Sequence, residues 1–127
     1  MLDVQDKYHT RAIEWAELLA DDAHFWTTDA VQLEVAGHLS DPKLRGIAAN
    51  ALRVILDTPD TTVVRLNPDL FQRGLDLYDE RPDKDWSLTD CISFVVMKDQ
   101  HLDDALTGDE HFTQAGLRAL LREEARA

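Results

Sequence analysis

One cysteine, Cys91, is all the thiol this 127-residue sequence holds. A single thiol closes no internal disulfide, so the chain is not a disulfide-stapled secreted scaffold and suits a reducing compartment. Long apolar runs are missing too. The longest, Ile92 to Met97, is broken by Ser93 and falls far short of the ~20 residues that cross a bilayer. No basic-then-apolar segment at the N-terminus resembles a signal peptide. These absences lead us to expect a cytoplasmic protein without membrane contact. There is no Gly-rich phosphate loop, which argues against a nucleoside-triphosphate enzyme. His9, His24, His38, His101 and His111 show no paired ligand spacing and Cys91 stands alone, so no zinc set is expected. Positive charge is scarce: Lys and Arg number 13 against 25 Asp and Glu, a net charge of −12. Solubility is the plain reading of that imbalance. A surface this acidic also repels nucleic acid at long range unless basic residues cluster or cations intervene, and it is compatible with a site built from carboxylates and metal.

What is present reads as one globular domain over residues 1–127, with 44% hydrophobic and 30% charged residues. Residues 6–20 carry Ala12, Ile13, Ala16, Leu19 and Ala20 at helical spacing. His24 to Thr27 is the expected first strand, followed by a helix to about Leu39. Asp41 followed by Pro42 is a cap-and-proline signal for a new helix. Its stripe is Leu44, Ile47, Ala48, Ala51, Leu52 and Ile55. Thr61 to Leu66 is β-branched and bounded by prolines, a second strand. Asn67-Pro68 repeats the cap signal for a helix with Phe71, Gly74, Leu75 and Tyr78, ended by Arg81-Pro82-Asp83. From Ser87 a helix apolar nearly all round is expected deep in the core. Asp104 to Thr107 reads as a short strand, Gly108 as a turn, and Leu117 to Leu121 as either strand or helix. Strands alternating with helices predict an α/β fold with a parallel sheet flanked by helices.

Three acids stand at costly or well-placed positions. Glu34 interrupts an apolar helix, and Gly37 one turn later leaves room beside it; an ordinary exposed position is the alternative. Asp90, three residues after Ser87, fits a capping box at the mouth of the apolar helix, and a carboxylate held there could also bind metal. Asp109 lies just past a short strand and a glycine turn, where ligands bind in open α/β sheets, and it could equally cap the residues after it. Converging carboxylates suit Mg²⁺ or Mn²⁺, which activate water and stabilise charge on a phosphate.

The run Asp83-Lys84-Asp85-Trp86-Ser87-Leu88-Thr89-Asp90-Cys91-Ile92-Ser93-Phe94, then Ala105-Leu106-Thr107-Gly108-Asp109-Glu110-His111-Phe112, then Gln114-Ala115-Gly116, resembles the C-terminal half of a PIN domain. Thr27-Thr28-Asp29-Ala30-Val31-Gln32-Leu33-Glu34-Val35 resembles the family's middle region, and Asp6-Lys7-Tyr8-His9 its second helix. The resemblance implies a Mg²⁺- or Mn²⁺-dependent ribonuclease, such as the VapC-like toxins of toxin–antitoxin pairs. It places the family's acidic residues on Glu34, Asp90 and Asp109 as catalytic and metal-binding groups. It further implies an RNA substrate, an antitoxin partner with a basic segment, and a homodimer. The family opens on an apolar strand ending in Asp-Thr or Asp-Ser. No such segment stands here, since Asp3 follows only two residues, and Met1 reads as lying within the family's first helix. The expectation is therefore a PIN-like sheet lacking its first strand and helix, split into two half-sheets. A catalytically inactive module that binds a partner is the alternative function.

Overall fold

The computed structural model describes residues 14, 15, 18, 24–123 and 125. The expected N-terminal helix, the Asp6–His9 segment and Asp3 lie outside the described residues, apart from Glu14, Trp15 and Leu18, which are helical. β1 (Phe25–Thr28) leads into α1 (Asp29–His38), and α2 (Arg45–Asp57) into β2 (Thr61–Val64). Then come α3 (Pro68–Glu80), α4 (Leu88–Asp99), β3 (Asp104–Ala105), α5 (Glu110–Gln114) and β4 (Arg118–Ala119), with a 3₁₀ turn over Leu120–Arg122. β1 pairs with β2 in parallel, Phe25 opposite Thr61 and Thr28 opposite Val64. β3 pairs with β4 in parallel, Asp104 opposite Arg118. Among the described residues no ladder joins the two pairs. The fold is thus α/β with parallel strands and flanking helices, its described strands lying in two two-stranded sheets.

Side chains set the helix starts. The Thr28 hydroxyl accepts the Val31 N–H at 3.1 Å, and the Asn67 carbonyl oxygen Oδ1 accepts the Leu70 N–H at 2.8 Å with Pro68 in the first turn. Both satisfy backbone donors that a helix leaves unpaired. Asp41 does not cap α2 as its sequence suggests. Its carboxylate accepts the Lys43 N–H at 2.8 Å in a preceding turn, and the helix begins at Arg45 behind Leu44, which makes no side-chain cap. The undecided stretch Leu117 to Leu121 proves to be both kinds of structure, a two-residue strand and then a 3₁₀ turn.

The core is centred on α4. Its Cys91, Phe94 and Met97 pack with Trp86, Phe112 and Ala119, while its Ile92 and Val96 pack with Ala30 and Leu70 on the other side. Phe94 meets Trp86 and Phe112 edge-on, both at 5.0 Å between ring centres. A third cluster joins Trp15 to Leu120 and Leu121. α3 approaches α4 closely at Gly74, where an added Cβ would lie 2.6 Å from Ile92 Cγ1. The expected α2 stripe divides. Ala48 is buried and Leu52 and Ile55 half-buried, whereas Leu44, Ile47 and Ala51 are exposed, as is Val54 outside the expected stripe.

Candidate active site

Asp90 is the most buried of the three candidate acids, 6% exposed at the start of α4. Ser87 and Asp90 form a reciprocal capping box: Ser87 Oγ accepts the Asp90 N–H at 3.0 Å, and Asp90 Oδ2 accepts the Ser87 N–H at 3.1 Å. Two orphan donors are satisfied, and the carboxylate is fixed against the helix N-terminus, where negative charge is favoured. Capping and ligand binding are compatible here, because Asp90 Oδ1 has no hydrogen bond among the described residues.

Asp109 likewise caps α5. Its Oδ1 accepts the His111 N–H at 2.9 Å, and its own N–H donates to the buried Thr107 hydroxyl at 3.1 Å. This tight turn points the His111 ring back toward α4. His111 Nδ1 lies 2.9 Å from Asp90 Oδ2 and 3.4 Å from Asp109 Oδ1. One ligand atom from each of Asp90, Asp109 and His111 fits within a span of 4.8 Å, a size that could hold a metal ion. Burial by itself would lower the pKa of His111, but the hydrogen bond to Asp90 and the charges of Asp109, Asp90 and Glu110 outweigh it and raise the value above the usual histidine range. Next to Asp90, the Cys91 thiol is pushed up, chiefly by burial and then by the Asp90 charge, so it is a packed side chain rather than a nucleophile.

The structure thus brings Asp90 and Asp109 together and does not include Glu34 in that group. Glu34 lies half-buried on α1, in an open groove of about 420 Å³ shared with Ala30, Leu33, Leu66, Phe71, Leu88, Thr89 and Ile92. Leu88 and Thr89 belong to the same first turn of α4 as Asp90, so the groove adjoins the cluster. The room expected beside Gly37 exists, since an added Cβ there meets nothing within 4 Å, but Gly37 is exposed and the space is open solvent. His111 is the site residue that the sequence does not single out, because it has no paired His or Cys spacing. The available signal was its position two residues after Asp109.

The donor set suits a hard divalent cation. Carboxylate oxygens fit Mg²⁺ or Mn²⁺, and an imidazole nitrogen fits Mn²⁺ and the later first-row ions.

A family model described as PIN domain matches residues 3–117. A solved structure of the sarcin–ricin loop cleaving toxin VapC20 of Mycobacterium tuberculosis is similar with a TM-score of 0.71 at 22% identity, covering 84% of this chain and 82% of that one. A search of curated proteins finds no match.

Proposed function

The chain belongs to the PIN domain family, and from that premise we propose that it is a divalent-metal-dependent endoribonuclease of the toxin type, with Asp90, Asp109 and Glu34 as its acidic site. The meeting of Asp90 and Asp109, separate in sequence and sharing a cluster of 4.8 Å span with His111, is the observation that carries this reading. A bound Mg²⁺ or Mn²⁺ would supply Lewis acidity and a water of lowered pKa at a phosphodiester. The rest falls to the chain. The capping box holds Asp90 in one rotamer without using its Oδ1, the Thr107–Asp109 turn fixes the second carboxylate, and His111 holds Asp90 from the side. Glu34, from the adjoining groove, would act on the same substrate from across the first turn of α4. The acidic surface makes cation binding favourable and leaves RNA contact dependent on the loaded metal. The sarcin–ricin loop cleaved by the solved relative makes structured RNA the first substrate to try. A cytoplasmic location fits such a substrate, and no described helix is long and apolar enough to cross a membrane.

The groove around Glu34 favours a partner as well. It offers exposed Leu33 and Phe71, 70% and 43% exposed, beside one carboxylate. That pairing of apolar wall and acid suits a segment carrying apolar side chains and an arginine, whose planar fork matches a carboxylate. We assign an antitoxin of this chemistry to the groove.

Purified protein should cleave structured RNA with Mn²⁺ or Mg²⁺ and not with chelator. Asp90→Asn keeps a side-chain oxygen that can accept the Ser87 N–H but loses the charge beside His111 and the helix N-terminus, so metal-free stability should fall by no more than about 1–2 kcal/mol. Cleavage should drop by roughly two orders of magnitude or more, the scale of losing one group that stabilises transition-state charge. Either cation should also raise the melting temperature of the wild type by linkage, and less so that of Asp90→Asn. Absence of cleavage together with intact metal response would favour the partner-binding module. Absence of both would remove the site altogether.

A further inference from the structure

We propose that Arg122 is a substrate-holding residue, its guanidinium gripping an RNA phosphate next to the one at the Asp90–Asp109 site; this rests on the nuclease reading above. β3 and β4 run parallel, so both end at the same edge of their sheet. There β3 leads into the Thr107–Asp109 turn and β4 into the 3₁₀ turn Leu120–Arg122. Two hydrogen bonds tie these turns together. The Leu121 N–H donates to the Thr107 carbonyl at 3.1 Å, and Arg122 Nη1 donates to the Gly108 carbonyl at 3.3 Å. The Gly108 carbonyl belongs to the peptide bond that leads into Asp109. The guanidinium is therefore held one peptide unit from a site carboxylate, at the strand ends where ligands of open α/β sheets bind.

Its charge is free for a ligand. Arg65, Arg73, Arg81 and Arg118 pair with Asp29, Asp99, Asp83 and Glu123 respectively. Among the described residues Arg45, Arg53 and Arg122 form no ion pair. Arg45 and Arg53 stand on α2, and Arg122 stands at the site. Because Arg122 does not pair with Asp109 either, the carboxylates stay open to a cation and the guanidinium to an anion. Its bond to Gly108 uses one of five N–H donors, and the side chain is exposed. The remaining fork matches a phosphate. A chain of net charge −12 repels RNA at long range, so a cation fixed beside the acidic site lets the strand approach it. Beyond Arg122 lies an open groove of about 520 Å³, lined by Arg118, Asp103, Asp104 and Glu123 as well. Arg118 is already paired there with Glu123 and Asp104. Three acids thus face two bases, and the phosphate contact stops at Arg122.

Fluorescence anisotropy with a labelled RNA stem-loop in Ca²⁺ reads binding, and steady-state cleavage in Mn²⁺ reads turnover. Arg122→Gln should weaken binding about tenfold, the scale of one charge-assisted contact. It should also flatten the slope of log affinity against log salt by ~0.7–0.9, the share of one phosphate. KM should rise by about the same factor with kcat little changed, because a neighbouring phosphate is held equally before and during the reaction. Arg122→Lys should keep the slope and recover only part of the affinity, since it retains the charge and loses the fork. Arg53→Gln, which changes the net charge by the same amount from α2, should leave affinity and slope as they are. The rise in melting temperature with Mn²⁺ should be equal in all these variants. If Arg122 served only to hold the turn, Arg122→Gln would lose that rise and keep the salt slope, which overturns the proposal. Wild-type cleavage together with unchanged affinity, slope and KM in Arg122→Gln overturns it too and leaves the nuclease reading standing. Wild-type protein that neither binds nor cleaves RNA removes both.

Discussion

α2 and α4 are nearly equal in length and both rich in apolar residues, yet they occupy opposite environments. α4 buries Cys91, Ile92, Phe94, Val96 and Met97 along with Asp90 and Ser93; α2 buries Ala48 alone. Their starts differ as well. α4 opens on a capping box and α2 on a leucine without a cap. The comparison shows that apolar content by itself does not decide depth. A helix apolar on every side has no solvent face to offer and must be enclosed. A helix with a wide stripe can use half of it internally and leave the other half for another surface.

Truncation should separate the two helices most sharply. Phe94→Ala removes a ring packed edge-on between Trp86 and Phe112, and should cost about 3–5 kcal/mol by chemical denaturation. Ile47→Ala, at a side chain 70% exposed, should change monomer stability by no more than ~0.5 kcal/mol. Similar losses at the two positions would dissolve the distinction.

The same glycine substitution should act with opposite sign in the two regions. At Gly74 a new Cβ would lie 2.6 Å from Ile92 Cγ1 and 3.5 Å from the Ile92 backbone. The overpacking cost of ~1–3 kcal/mol should exceed the helix-propensity gain of at most ~1 kcal/mol, so Gly74→Ala should destabilise. At Gly46, in α2, the new Cβ meets nothing within 4 Å, and Gly46→Ala should stabilise by up to ~1 kcal/mol. Melting curves of both variants decide it, and stabilisation at Gly74 would mean that α3 and α4 can part at little cost.

The caps come next in size. Ser87→Ala breaks half of the capping box and leaves the Asp90 N–H without its acceptor, at a cost of about 0.5–2 kcal/mol. Because the same box orients Asp90, metal response should weaken alongside stability. A stability loss with unaltered metal response would separate capping from the site.

Much of this is legible in the sequence. Asn67, Ser87 and Asp109 act locally, each bonding the backbone two or three residues on, and short-range chemistry of that sort is written in neighbouring letters. The enclosure of α4 followed from its composition, and Asp90 and Asp109 stood out as acids at a helix mouth and a strand end. What sequence could not give was the partition of the α2 stripe, since that depends on which neighbours α2 meets. Asp41 misled for a related reason. Its carboxylate found a nearer donor at Lys43, and the turn it closed delayed the helix to Arg45. His111 was hidden because its role arises from a turn that aims it at a residue 21 positions away. Glu34 stands out as an acid in an apolar helix and by the family resemblance, and its separation from the Asp90 cluster is a matter of tertiary geometry.

The smallest expected effect concerns the polar end of α4, which α2 has no counterpart for. Folding places His111 Nδ1 2.9 Å from Asp90 and 3.4 Å from Asp109, and the net result is a raised pKa despite partial burial. A group whose folded pKa exceeds its unfolded value stabilises fully below the unfolded value, ~6.5 for histidine, and that contribution is lost as pH rises through the folded value. In chelator, the melting temperature of the wild type relative to His111→Gln should therefore be highest on the acidic side of ~6.5 and shrink as pH climbs above it. Glutamine can still donate a hydrogen bond to Asp90 but carries no charge at any pH, so the difference isolates the ionised imidazole. Saturating Mn²⁺ should flatten the trend, because a cation between the carboxylates replaces the charge that protonation brings. A difference that stays constant with pH, or grows as pH rises, would show that His111 contributes packing and a neutral hydrogen bond only.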